Sequence, residues 1–236
     1  MHFQGVKALD GVDLAVRQSE IVGLIGPNGA GKTTLVNVLS GFQRPTAGIV
    51  TLLGAEVTSW SPDELARAGL VRTFQAVRIF AALTVLENVE AAAISASATR
   101  SEARALAWEL LAWLRLEHKA RARALELPHG EERRLGIARA LALRPSFLLL
   151  DEPAAGLNEA EADELVEVLV RVRDTFSLGM LAIEHDMRLI MALCERIHVL
   201  DHGRTIAAGT PAEVRGNPTV RTAYLGTGLE ADARGP

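Results

Sequence analysis

Cysteine is nearly absent: among 236 residues only Cys194 carries a thiol. No internal disulfide can form, which fits a reducing compartment. An excess of one charge is absent too. Lys and Arg number 25 against 29 Asp and Glu, a net charge of −4. No basic footprint for nucleic acid exists, and the balance names no partner. No stretch of about 18 apolar residues occurs that would span a bilayer, so a membrane role is expected to run through a partner. The opening MHFQGVKALD lacks a basic region followed by an apolar run, so no signal peptide is expected. Internal repeats and low-complexity tracts are also missing.

The composition that remains, 49% apolar and 23% charged, suits a globular core, and the length accommodates one large domain or two small ones. Val12, Leu14 and Val16 alternate with polar neighbours, which predicts strand material over 11–25, with a hairpin leading into IVGLI at 21–25. That run is apolar on both faces, as a buried parallel strand should be. A Gly-rich turn follows, then a helix over 32–40 stopped by Gly41. Residues 46–57 read as another strand pair. The middle, 76–135, is helix-rich and holds no convincing strand. Thr84 and Glu87 are spaced as a capping box. Leu106, Leu110, Trp113 and Leu114 form a stripe at helical spacing, with Trp108 off it; core packing or surface contact accounts for these tryptophans. Apolar runs at 147–150, 180–183 and 196–200 predict strands, and Leu165, Val168, Leu169, Val172 and Phe176 predict a helix over 159–176. The alternation implies a parallel sheet covered on both faces, with the helical middle inserted into an α/β core and a frayed tail after Gly226.

The sequence GPNGAGKT at 26–33 fits G-x-x-x-x-G-K-[ST], between a strand and a helix as that pattern requires. Glycines let the backbone fold round phosphates and aim its N–H groups inward, and the helix start adds a positive end. Asn28, Gly29, Ala30, Gly31, Lys32, Thr33 and Thr34 are therefore candidate nucleotide contacts. Lys32 reaches for the β- and γ-phosphates, and Thr33 offers its hydroxyl to Mg²⁺. A dinucleotide turn would need a third glycine that is not there. The run 147–152 ends in Asp151 and Glu152, at the strand edge where ligands sit in open α/β sheets. Asp151 there binds Mg²⁺ through water, and Glu152 polarises the attacking water as a general base; alone, the pair reads equally as a solvated strand end. His185 closes a further apolar strand, where it is either structural or a hydrogen-bond partner for a γ-phosphate.

These residues, in this order, resemble the ATP-binding cassette (ABC) ATPases over about residues 3–226. The resemblance implies an α/β P-loop NTPase (RecA-like) fold: a parallel-sheet core over 1–75 and 136–215, an antiparallel β subdomain and an inserted helical subdomain at about 76–135. These form one domain over 1–226, followed by a flexible tail over 227–236. It implies that Gln75, in RTFQ, touches Mg²⁺ and senses a transmembrane partner, that His185 binds the γ-phosphate, and that Phe3 stacks on adenine. It also places a signature at 127–131, LPHGE, whose Pro128, His129, Gly130 and Glu131 face ATP on a partner chain. The stretches GLVRTFQ, EPAAGLN, IEHDM, GTP and AYLG are similar to the ATP-binding subunits of bacterial branched-chain amino-acid transporters. That implies ATP and Mg²⁺ as cofactors, transmembrane permease subunits and a second ATPase subunit (a sister chain or self) in a head-to-tail dimer, a solute-binding protein as indirect partner, no nucleic acid, and a peripheral place on the cytoplasmic face of the bacterial inner membrane.

The signature departs from the family's usual Leu-Ser-Gly-Gly-Gln. Pro128 has neither hydroxyl nor N–H to offer a phosphate. Glu131 puts a carboxylate where an amide is usual, which weakens phosphate binding if it points inward and favours the helix start if it caps. Asn158 stands where many ABC proteins have Asp. Rival readings are a non-transport ABC ATPase in translation or DNA repair, which would bring two cassettes or a coiled-coil insertion; a small-molecule kinase, which would need an Arg-rich lid; and a scaffold with a dead signature.

Overall fold

Apolar runs become buried strands wherever both faces are covered, and this decides the sheet. The computed structural model describes residues 1–3, 6–75, 78–97 and 99–225; the tail expected over 227–236 lies outside them. In chain order the strands are β1 (His2–Phe3), β2 (Val6–Lys7), β3 (Ile21–Ile25), β4 (Thr51–Leu52), β5 (Ala55–Glu56), β6 (Leu70–Arg72), β7 (Phe147–Asp151), β8 (Gly179–Ile183), β9 (Arg196–Asp201) and β10 (Arg204–Gly209). The helices are α1 (Lys32–Leu39), α2 (Pro62–Arg67), α3 (Val85–Ala93), α4 (Arg100–Trp113), α5 (His129–Leu141), α6 (Glu159–Phe176), α7 (Met187–Leu193), α8 (Pro211–Gly216) and α9 (Pro218–Leu225). Six strands form one sheet in the order β10-β9-β3-β8-β7-β6. The pairs among β9, β3, β8, β7 and β6 are parallel and only β10 runs antiparallel. β1–β2 and β4–β5 are separate antiparallel hairpins.

The period of two sorts the sheet's side chains. Ile21, Ile25, Leu148, Leu150, Met180, Ala182, Ile197 and Val199 join the core shared with α5, α6 and α7. Their alternates Val22, Leu24, Leu149, Leu181, Ile183 and Leu200 join the core under α1, with Leu35, Val36 and Val38. Each fully buried Leu or Ile contributes about 1.5–3 kcal/mol relative to exposure, so neither face tolerates a register slip.

The expected strand at the start of 11–25 is not a strand. Val12, Leu14 and Val16 keep their alternation and pack half-buried on the second core, but the segment joins no ladder: the Ala15 carbonyl is taken by the Arg196 guanidinium. Alternation sets which side chains face inward; it does not supply a neighbouring strand. In α4 the buried stripe is Ala103, Ala107, Leu110, Leu111 and, past its end, Leu114, with Leu106 and Trp113 at the margin. The small alanines, not the large residues alone, set the face. Trp108 is partly exposed. Phe176 closes α6 half-exposed, edge-on to Trp113 at 6.0 Å. Among the described residues of 76–135 there is no regular strand, and α5 carries this helical stretch onward to Leu141. The Thr84–Glu87 capping box forms, and buried Asn88 pins the preceding chain through Phe80 N–H at 2.8 Å.

Candidate active site

The chain leaves the sheet at Ile25 and enters α1 at Lys32, so the loop between them lies at the C-terminal edge of β3. Two glycines there have no substitute. At Gly26 (φ +153°) a Cβ would lie 2.1 Å from the Leu200 carbonyl, and at Gly31 (φ +105°) 2.5 Å from that of Ala8. Asn28 and Gly29 are exposed at the tip, while Ala30 is buried and its carbonyl accepts Gly203 N–H at 2.9 Å. Helix α1 begins on Gly31 with no side-chain cap and no acid in its first turn, leaving the N–H groups at Lys32, Thr33 and Thr34 without a carboxylate of their own. Lys32 folds back so that Nζ donates to Gly26 O at 2.6 Å and Pro27 O at 3.1 Å. Burial lowers its pKa, opposed by the charge of Glu152.

Glu152 sits just past β7 with φ +47° and its N–H on Ile183 O at 2.9 Å. Gln75 Nε2 donates to Glu152 Oε2 at 2.5 Å. After β8 come the buried Glu184 and the exposed ring of His185, whose Nδ1 is 3.6 Å from Glu184 Oε2. Burial raises the pKa of Glu184, against the N–H groups of Ala154 and His185 and the charge on His185; Glu152 adds to the rise. Lys32, Gln75, Glu152, Glu184 and His185 thus form one cluster.

Asp151 faces a cation. Arg72 Nη2 donates to its Oδ2 at 2.7 Å, and Nη1 to Asn37 Oδ1 at 2.7 Å and Ser40 Oγ at 3.2 Å. The Arg72 guanidinium lies against the rings of Phe74 and Phe42, at 4.9 and 5.8 Å from their centroids. Among the described residues no group of three or more His, Cys, Asp or Glu is arranged to hold a metal. The expected donors Thr33, Gln75 and Asp151 offer a hydroxyl, an amide and one carboxylate, an all-oxygen set with few charges that fits Mg²⁺ retaining its waters.

The signature lies elsewhere. Pro128 is the N-cap of α5, which also starts without a side-chain cap. Among the described residues, its neighbours are not those of the phosphate loop. The exposed His129 ring lies 3.6 Å from Glu132 and so close to Gly156 that a Cβ there would meet it at 2.9 Å. Gly130 is buried against Glu161. Glu131 lies in the first turn of α5, where its charge favours the helix start, and its Oε1 lies 3.5 Å from His118 Nε2. Phe3 lies in β1, paired with Val6; its side chain, and hence the expected stacking, is outside the described part of the structure.

Four neighbours of this site were not read from the sequence. Arg72 stands three residues before Gln75, and Glu184 sits directly before His185, so both lay in quoted motifs as unassigned letters. Arg133, in α5, donates to the carbonyls of Gln75 and Ala155, which ties the signature helix to both loops. Tyr224, in α9, lies against the Gly26 backbone, and burial pushes its phenol up to about 12. A cavity of about 290 Å³ lined by Phe74, Arg78, Arg133, Ile137 and Arg139 opens beside this junction.

Comparison with known proteins places this geometry among relatives. The family described as ABC transporter matches residues 9–155, and that described as Branched-chain amino acid ATP-binding cassette transporter matches 204–230. The chain is 44% identical over 243 residues to the high-affinity branched-chain amino acid transport ATP-binding protein LivG of Salmonella typhimurium, covering 96% of this chain and 94% of that one. A crystal structure of the ADP conformation of an ATP-binding cassette of an ABC transporter superposes with a TM-score of 0.87 at 30% identity, covering 96% and 95% of the two chains. A dimeric post-hydrolysis cassette bound to ADP and Pi gives 0.76 at 28% identity, over 86% and 90%.

Proposed function

The chain belongs to the ABC transporter ATP-binding cassettes, and from that membership we propose that it is the ATP-hydrolysing subunit of an importer for branched-chain amino acids or related small solutes. The observation that carries the ATPase reading is the convergence of Lys32, Gln75, Glu152 and His185 at the C-terminal ends of parallel strands. The likeness to LivG carries the solute class.

The roles follow from the positions. The N–H groups of 28–34 and the uncapped start of α1 cradle the phosphates. Lys32 exchanges the carbonyls of Gly26 and Pro27 for phosphate oxygens, the stronger, charge-assisted partners. Phe3 stacks on adenine. Glu152 accepts the proton of the attacking water, Gln75 holds that carboxylate, and His185 donates to the γ-phosphate. Thr33, Gln75 and Asp151 would hold Mg²⁺, which when bound neutralises charge on the β- and γ-oxygens. The protein contributes positioning and charge and forms no bond itself.

A single copy holds the phosphate cradle and the signature on separate surfaces, so a head-to-tail pair completes each site: Pro128, His129, Gly130 and Glu131 of one chain face ATP on the other. Within one cassette over 1–226, the helical subdomain at about 76–135 meets a permease, and closure of the pair switches that permease. No helix among the described residues is long and apolar enough to cross a membrane. By its likeness to transporter subunits, the subunit sits peripherally, on the cytoplasmic face of the inner membrane, with the solute-binding protein as an indirect partner. A tagged pull-down from detergent-solubilised membranes of the source cell tests this: co-purifying multi-span proteins are expected. Recovery of ribosomal or repair proteins alone would remove transport and leave the ATPase.

A further inference from the structure

Glu184 is the one carboxylate in the site cluster that the hydrolytic scheme does not use. It is 1% exposed, at the end of a strand whose five residues are all buried. Buried Glu90, by contrast, is met by two arginines, Arg100 and Arg104. The partners of Glu184 are softer: Ala154 N–H at 2.8 Å on Oε1, His185 N–H at 3.2 Å on Oε2, and the His185 ring at 3.6 Å. A carboxyl so placed costs desolvation, and packing alone is better served by a side chain like its apolar neighbours.

Its two accepted bonds join two loops. Ala154 is two residues past Glu152, and His185 is the next residue along from Glu184. We infer that Glu184 is a positioning residue for hydrolysis: one carboxyl group clamps the loop leaving the general base to the strand end bearing the histidine, and fixes the two relative to each other. The clamp acts through Glu152 and His185, and the inference rests on the ATPase reading above. Its register comes from the sheet, because β7 and β8 pair Asp151 with Ile183 and so bring both exits level.

The test compares the assembled ATPase pair carrying the wild-type chain, Glu184→Gln or Glu184→Leu, each chain first shown by circular dichroism to be folded. Gln keeps an acceptor for Ala154 and loses the second; Leu loses both. The clamp predicts an order. Turnover falls a few-fold in Gln and at least about tenfold in Leu, while KM for ATP moves less than about twofold. Leu at full turnover, or equal losses in kcat and affinity, would overturn it. A second readout does not depend on turnover: amide exchange at Ala154, followed by NMR with ATP bound, is expected to speed up in Leu and much less in Gln. Unchanged exchange in Leu would overturn the clamp even if the wild type hydrolysed nothing, an outcome that would separately sink the ATPase reading.

Discussion

The helices of this chain begin in two ways. Seven of them, α2, α3, α4, α6, α7, α8 and α9, start on a Ser, Thr, Asn or Asp whose side chain accepts a first-turn N–H, and all but α7 and α9 close a full capping box. The other kind, α1 and α5, starts on Gly31 and Pro128 with no side-chain cap. Capping stabilises a helix by about 1 kcal/mol per cap, so two helices without it forgo stability where it was readily available. What they keep is a free positive end. Those two starts are the phosphate loop and the signature, the places where the proposed function needs an anion from outside the helix. They also differ from each other: the first turn of α1 holds no acid, whereas that of α5 holds Glu131 and Glu132.

Substitutions that act on chemistry should separate from those that act on caps. The largest effect is expected at Glu152→Gln, which keeps the shape and the contact with Gln75 but cannot take a proton. Turnover should fall on the order of a thousandfold, about 4 kcal/mol in the barrier, with ATP still bound and, in the assembled pair, a dimer visible by light scattering. Full turnover would remove Glu152 as the base. Next comes Lys32→Ala. The uncapped start of α1 would then face phosphate without its cation, and ATP affinity measured by calorimetry should drop on the order of a hundredfold. Retained affinity would mean that the backbone cradle suffices. Asn158→Ala strikes a capped start instead. It removes the acceptor for Glu161 N–H at 3.0 Å and should cost about 1 kcal/mol in denaturant unfolding, leaving ATP affinity within about twofold. A large loss of affinity there would erase the distinction between the two kinds of helix start.

The same division explains what was legible in the sequence. Features set by near neighbours could be read: the apolar runs of β3, β7, β8 and β9, the Gly-rich turn into α1, and Thr84 with Glu87. The short β6 escaped because Leu70, Val71 and Arg72 show no period, and β10 because an exposed antiparallel edge needs little apolar patterning. The face of α4 was read only in part, because alanines count for little in a reading weighted by size. The site's ends of strand were legible for the same local reason. Its cross-links were not: Arg72 meets Asp151 across 79 positions, and Arg133 meets Gln75 across 58. Only the fold brings such pairs together, and no spacing rule announces them. Glu131 shows the limit from the other side: its place in the first turn of α5 could be read, whereas its neighbour His118 is supplied by tertiary packing.

The smallest predicted effect concerns the cost of the clamp. Burial raises the pKa of Glu184, and the carboxylate of Glu152 adds to the rise, against the N–H groups of Ala154 and His185 and the charge on His185. A carboxyl group whose folded pKa is raised holds its proton more tightly in the native state. Its favourable contribution is therefore complete below its ordinary value of 4.5 and is lost as pH climbs from there through the raised folded value. Glu184→Gln cannot titrate. The difference in melting temperature, variant minus wild type, should grow as pH rises through that window and then level off, with the other carboxylates cancelling between the two proteins. Calorimetric melts from pH 4 upward would measure it. A flat difference would mean that the buried carboxyl keeps its charge at no penalty, held by the two N–H groups and the His185 ring. The clamp would then be an anion in an ordinary cap and not the strained acid that its burial implies.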